Sequence, residues 1–243
     1  FLSFFPTVAV ILNVDADHLD FFQDLEDIKH SFRRFAQLVP EDGMVIADRD
    51  DPNTMEALKG LERPLRTFGL DEGDIHAANL SWEKGTGSFD LIYYEKCLGR
   101  ISLQVPGVHN VRNALAAAGA ALQLNVPFSA IQEGLSAFTG AGRRFERKGE
   151  YHGAVLYDDY AHHPQELKAL FTTAKGLGYR RVICAFQPHT YSRTKELFDR
   201  FLEVLTIPDK VLLAEIFAAR ETDTLGVSSQ DLANRIPEAE YCP

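Results

Sequence analysis

The chain has 243 residues, 45% of them hydrophobic and 25% charged, the balance of a soluble globular protein with room for one large or two small cores. A net charge of -10 excludes proteins that grip nucleic acid or an anionic membrane through a broad basic face, but a nucleotide held by a few local donors remains compatible with it. Cys97, Cys184 and Cys242 are too scattered for a metal-type pair or a disulfide framework, no apolar run approaches the ~18 residues of a membrane span, and no signal peptide is visible, which together fit a reducing cytoplasm.

Phe1-Leu2-Ser3-Phe4-Phe5-Pro6 reads as the inside of a domain and Tyr241-Cys242-Pro243 ends as abruptly, so the expectation is a piece of a longer protein. Val8-Ala9-Val10-Ile11-Leu12 is a short β-branched apolar run, expected as a buried parallel strand. It delivers Asn13-Val14-Asp15-Ala16-Asp17-His18 to its C-terminal end. Leu25, Ile28, Phe32, Phe35 and Leu38 recur in steps of three and four, which predicts an amphipathic helix stopped by Pro40-Glu41-Asp42-Gly43. Met44 to Ala47 is a second strand, and Asp51-Pro52-Asn53-Thr54 starts another helix with Pro52 in its first turn. Residues 65–105 hold short β-like pieces separated by Asp71-Glu72-Gly73-Asp74 and Lys84-Gly85-Thr86-Gly87-Ser88, which predicts hairpins. His109 to Leu124 is Ala-rich and helical, with side chains small enough for close packing on a sheet, and Phe128 to Phe138 is a further helix.

Thr139-Gly140-Ala141-Gly142 marks the expected boundary between a domain over 1–141 and a second over 142–243. Beyond it, Val155 to Tyr157, Val182 to Phe186 and Val211 to Ala214 read as strands, alternating with helices over Pro164 to Leu177 and Arg193 to Leu205. Ser228-Ser229-Gln230-Asp231 opens a last helix with a capping-box pattern. The expected class is α/β: a parallel sheet with an antiparallel excursion at 65–105, then a Rossmann-like second domain.

Several polar clusters fall where an apolar segment meets a helix, the place where α/β folds hold ligands. His18, with Asp15, Asp17 and Asp20 as neighbours, suits either a divalent cation or a solvated acidic turn. His109, Asn110 and Asn113 begin a helix. Asn110 and Asn113, three apart, share a face, and amides match the mixed donors and acceptors of a nucleobase edge, although Asn110 would serve equally as a helix cap. Arg143 and Arg144 suit a phosphate or an ordinary basic linker. Asp159 ends a strand, where a carboxylate accepts from ribose hydroxyls; adjacent histidines such as His162 and His163 rarely ligate one ion. His189 and Arg193, four apart around a helix start, suit a substrate carboxylate or a polar loop. No Gly-x-x-x-x-Gly-Lys-[Ser/Thr] loop occurs, so a triphosphate cradle of that kind would lie upstream of Phe1.

Six ordered stretches, at 13–20 (NVDADHLD), 109–117 (HNVRNALAA), 142–145 (GRRF), 158–164 (DDYAHHP), 187–194 (QPHTYSRT) and 218–221 (AARE), resemble the Mur ligases of bacterial peptidoglycan synthesis over the whole chain. The stretch at 187–194 is similar to that of the alanine-adding member. The resemblance implies a central ATP-binding domain followed by a C-terminal domain. It also implies a reaction in which ATP, with Mg²⁺, phosphorylates the lactyl carboxylate of UDP-N-acetylmuramate. The amine of L-alanine then displaces phosphate to form an amide, and catalysis rests on positioning and charge neutralisation.

By the same resemblance, His18 is a Mg²⁺ ligand, Asn110 and Asn113 hold the adenine side of ATP with His109 adjacent, and Asp159 binds the ribose. Arg144 reaches the phosphates. Tyr160, His163, His189 and Arg193 line the site near L-alanine and the reacting carboxylate, with His18, Arg144 and His163 the implied catalytic groups. Domain closure would bring the halves together. Thr190 stands where some members have arginine. Arg33 and Arg34 occupy the region where several carry a carbamylated lysine, so no carbamate is expected. Without the UDP-binding domain and the phosphate loop, the chain is expected to be inactive alone, and an exposed edge near Val8 to Leu12 to favour a homodimer. Three alternatives stay open: a recycling ligase that attaches a peptide to UDP-N-acetylmuramate, a non-catalytic nucleotide-binding module, and a metal-dependent hydrolase built on His18, His162 and His163.

Overall fold

The computed structural model describes residues 1–16 and 21–243, which form two units, Phe1–Thr139 and Gly140–Pro243. In the first unit the apolar runs become strands that pair in chain order. β1 (Val8–Ile11), β2 (Met44–Asp48), β3 (Leu65–Gly69) and β4 (Ile75–Glu83) are parallel neighbours. β5 (Thr86–Tyr93) and β6 (Lys96–Pro106) add antiparallel neighbours and complete a six-stranded sheet. The antiparallel excursion therefore begins at β4, and β3 belongs to the parallel half.

Strand alternation gives the sheet a core on each face. Val45 and Ala47 point to one side with Ile11, Ile28, Ala36 and Leu58, beneath α1 (Leu25–Gln37) and α2 (Pro52–Ala57). Ile46 points to the other with Ile75, Phe89, Leu91 and Leu115, beneath α3 (Val108–Gln123) and α4 (Phe128–Ala137). Asp24 and Asp51 cap α1 and α2 by accepting from the backbone N–H three residues on. Gly119 lets α3 lie low on the sheet: a Cβ there would stand 2.5 Å from Ile75 Cδ1 and 3.4 Å from Ile46 Cγ2. β1 is one of the sheet's two edge strands, and Val10 within it and Leu12 just after it are exposed.

In the second unit β7 (Glu146–Tyr151) and β8 (Ala154–Asp158) form an antiparallel pair. β9 (Ile183–Phe186), β10 (Lys210–Leu213) and β11 (Ala239–Tyr241) form a parallel sheet in the order β11-β10-β9. α5 (Pro164–Gly176), α6 (Tyr191–Glu196), α7 (Phe198–Val204) and α8 (Ser229–Ala233) complete the unit. Leu167 and Phe171 of α5, Phe201 of α7 and Leu232 of α8 are buried with Phe186 and Leu213 of the sheet.

Three expectations are corrected here. β8 pairs with the polar strand β7 and not with the parallel sheet, β11 is an additional strand, and the helix expected over Arg193 to Leu205 divides at Leu197. The capping box at Ser228 and Asp231 is present. Among the described residues no helix is long and apolar enough to cross a membrane.

Candidate functional site

In the first unit the polar groups gather at the C-terminal ends of the parallel strands and at the start of α3. Gly107, at φ 97, is the N-cap of α3 and contributes no side-chain cap. Asn110 lies inside the first turn, so the reading of Asn110 as the cap is set aside. Its Nδ2 donates to Pro106 O at 2.7 Å, and its Oδ1 accepts from Asn113 Nδ2 at 3.4 Å. Asn113 is exposed, and His109 beside them is half-buried.

Arg112 ties this turn to the strand ends: Nη1 lies 3.2 Å from Asp48 Oδ2 and Nη2 3.2 Å from Asp50 Oδ2. Asp48 is only 2% exposed. Burial pushes its carboxyl above the usual range, against the opposing pull of the Asp50 N–H and of Arg112. Asp51 accepts from Val14 N at 3.0 Å and from Thr54 N at 2.9 Å, so the segment after β1 is fastened to α2. His18, with Asp17 and Asp20, lies outside the described residues. Arg33 donates to the carbonyls of Ala57, Lys59 and Gly60, a role in closing the end of α2.

In the second unit the stretches at 142–145 and 158–164 meet. Asp159 Oδ2 accepts from Phe145 N at 2.6 Å and Oδ1 from Ala161 N at 2.7 Å, and Tyr160 N donates to Arg143 O at 2.9 Å. Arg143 and Phe145 hold left-handed backbone at φ 57 and 49, a conformation that persists only where the surroundings impose it. The Arg143 guanidinium lies 4.6 Å from the Tyr160 ring centroid. Arg144 is exposed and pairs with Glu166 at 3.5 Å. Asp159 thus serves first as a local brace, with one lone pair on each oxygen left for a further donor.

The two histidines after Asp159 part company. His163 is the N-cap of α5, 5% exposed, and its Nδ1 accepts from Gln165 N at 3.4 Å in a capping box with Glu166. Its ring is therefore held at the start of α5, next in the chain to the half-exposed segment of Tyr160 and His162. His162 instead stands beside His189, ring centroids 5.8 Å apart. His189 Nδ1 accepts from Arg193 Nη1 at 3.1 Å, and the His189 ring lies 5.5 Å from that of Phe217. Burial, then Arg193 and His162, hold the His189 imidazole below its ordinary value, so the ring is neutral at physiological pH. With Nδ1 accepting, Nε2 carries the proton.

One contributor escaped the sequence reading. Glu221 accepts from Tyr191 N at 2.6 Å, from Ser192 N at 3.1 Å and from the Ser192 hydroxyl. Its stretch was recognised, but no local pattern signals a partner 30 residues away. Among the described residues no three His, Cys, Asp or Glu side chains converge to hold a metal ion.

Residues 2–121 match the model of the Mur ligase middle domain, and residues 143–243 that of the Mur ligase glutamate ligase domain. The chain belongs to the Mur ligase family. It is similar to the UDP-N-acetylmuramate–L-alanine ligases of Clostridium novyi (48% identical over 98% of the chain) and Clostridium perfringens (46% over 97%). The chain spans about half the length, 52%, of these curated relatives. Among solved structures, the UDP-N-acetylmuramate-alanine ligase of Thermotoga maritima aligns with a TM-score of 0.76 at 24% identity, over 99% of this chain and 52% of that one. The MurF ligase of Thermotoga maritima in complex with ADP aligns at 0.74 and 19%, over 97% and 52%. These structural likenesses carry the fold: a Mur ligase middle domain with a mixed sheet, followed by the C-terminal domain.

Proposed function

We propose that this Mur ligase chain serves the ATP-dependent joining of L-alanine to UDP-N-acetylmuramate, a cytoplasmic step of peptidoglycan synthesis. The observation that carries this reading is its 48% identity, over 98% of its length, to a ligase of that name. The His189–Arg193 pair supports it. Arg193 holds the His189 ring through Nδ1, which leaves Nε2–H of the neutral imidazole as a donor suited to the carboxylate of a small amino acid. His162 stands next to them, and His163, at the start of α5, is kept as a candidate for the same site.

The first unit offers its own candidates. Pro106 and Asn113 fix the amide of Asn110, and exposed Asn113 presents the remaining donor and acceptor that a nucleobase edge needs. In the second unit Asp159 keeps acceptor capacity at a strand end, as a ribose requires. Exposed Arg144 is the candidate for a phosphate. Each set, within its own unit, suits one part of ATP. Bound ATP would supply the phosphoryl group that turns the lactyl carboxylate into an acylating agent. Mg²⁺ enters this reading through His18, so none of the described residues is assigned to it.

The test is phosphate release by the chain extended upstream to the length of its relatives, with ATP and UDP-N-acetylmuramate present. Release that depends on L-alanine supports the reading. Release with a peptide and not with L-alanine would identify the recycling ligase, and ATP binding without any turnover would identify a nucleotide-binding module.

A further inference from the structure

α6 begins with backbone N–H groups that have no partner within the helix, and its N-cap, Thr190, makes no side-chain cap bond and stands at φ 67. A β-branched residue holds this left-handed conformation only if its neighbours enforce it. Two features of this chain do so. Phe217 clamps one side: Thr190 N donates to Phe217 O at 2.9 Å, and Phe217 N donates to Pro188 O at 2.9 Å. Glu221 clamps the other, accepting from Tyr191 N, Ser192 N and the Ser192 hydroxyl. Glu221 therefore does from a distant loop what a capping side chain does locally.

We propose that Glu221 is the positioning residue of the candidate alanine site. Its carboxylate fixes the turn at Thr190 so that His189, before the turn, and Arg193, one helical turn after it, meet at 3.1 Å. This rests on the reading of His189, held by Arg193, as the group that takes the amino-acid carboxylate. Without Glu221, Tyr191 N and Ser192 N lose their acceptor and Thr190 is released toward negative φ. Because the two side chains flank that residue, the pair then separates and Arg193 no longer holds the His189 ring with its Nε2–H presented to a ligand. Burial works to raise the Glu221 carboxyl, but hydrogen bonds from Ser192 and Tyr191 outweigh it and hold the group ionised.

Two arms test this. In the chain extended upstream, Glu221→Ala should raise KM for L-alanine about tenfold or more and leave KM for ATP within about twofold. Glu221→Gln, which keeps one accepting oxygen, should recover part of the loss. Equal rises in both KM values, or none, would overturn the proposal. In the 243-residue chain itself, hydrogen exchange at Tyr191 and Ser192 should quicken about tenfold in Glu221→Ala, while Ile183 to Phe186 of β9 stay protected. Unchanged exchange at Tyr191 and Ser192 would also overturn it. The exchange arm needs no turnover, so an extended chain indifferent to L-alanine would sink the functional reading and leave the positioning role separately decided.

Discussion

Arg112→Leu removes the cation from a carboxylate that is almost fully enclosed. Asp48 is 2% exposed, and its Oδ1 accepts from Asp50 N at 2.8 Å while Oδ2 faces Arg112 at 3.2 Å. Breaking a fully buried pair costs about 3–5 kcal/mol, and breaking a surface pair at most about 1 kcal/mol. The Arg112 side chain is 34% exposed and shared with Asp50, so the pair lies between these limits. The expected cost is about 2 kcal/mol at neutral pH. Urea titration followed by the fluorescence of Trp82, the chain's single tryptophan and a residue of β4, reads the first unit directly.

The sign of the pH dependence follows from burial. The Asp48 carboxyl is held above its ordinary value of 3.8, so the folded chain keeps this proton at a pH where the unfolded chain has lost it. This group therefore adds stability as pH falls through its raised value and subtracts stability above it. Removing Arg112 deletes one of the influences that opposed the rise. The deficit of the variant should be widest at about pH 8 and narrower at about pH 5, and adding Asp48→Asn should recover at least half of it. A cost below about 0.5 kcal/mol, or one that is the same at both pH values, would refute the claim that the buried charge carries the effect.

Gly119→Val places a branched side chain where Ile75 Cδ1 would be 2.5 Å from Cβ, so the same titration should show a loss of about 1–3 kcal/mol. Burial pushes the Cys184 thiol up to about 12, whereas Cys97 is exposed, so a thiol reagent at mildly alkaline pH should label Cys97 at least about tenfold faster. Cys97→Ser should remove that early phase. In the upstream-extended chain, Asn113→Ala should raise KM for ATP about tenfold and leave KM for L-alanine within about twofold; a fall in kcat with both KM values unchanged would contradict a role at the nucleobase.

The elements that announced themselves in the sequence are those with one face buried. The three- and four-residue spacing of Leu25, Ile28, Phe32 and Phe35 became α1, and the caps at Asp51 and Ser228 stand where local chemistry puts them. β7 escaped because Glu146-Arg147-Lys148-Gly149-Glu150-Tyr151 has no buried side and so no alternation to read. β11, three residues long, is defined by its register with β10 more than by its own composition.

The site divides along the same line. The closeness of His189 and Arg193 in the chain was visible in the sequence, but the turn at Thr190 that lets them meet was not. The capping role of His163 was also legible: Glu166, three residues beyond it, is the partner that a capping box requires. The bond between Glu221 and the start of α6 was not, since a long-range contact leaves no periodic trace.

The notch at Gly119 has a mechanical consequence. A helix is a stiff rod rising about 1.5 Å per residue, so the height at which its middle rests on the sheet fixes the height of its end. Ile75 and Ile46, touching α3 at Gly119, thereby set how far Asn110 and Asn113 project beyond the strand ends, some 14 Å along the axis from Gly119 to Asn110. A substitution that lifts the rod at Gly119 would tilt or raise the amide pair without touching it. Drift in the small residues on the sheet-facing side of α3 can thus move the amide pair from behind, while Asn110 and Asn113 themselves stay the same.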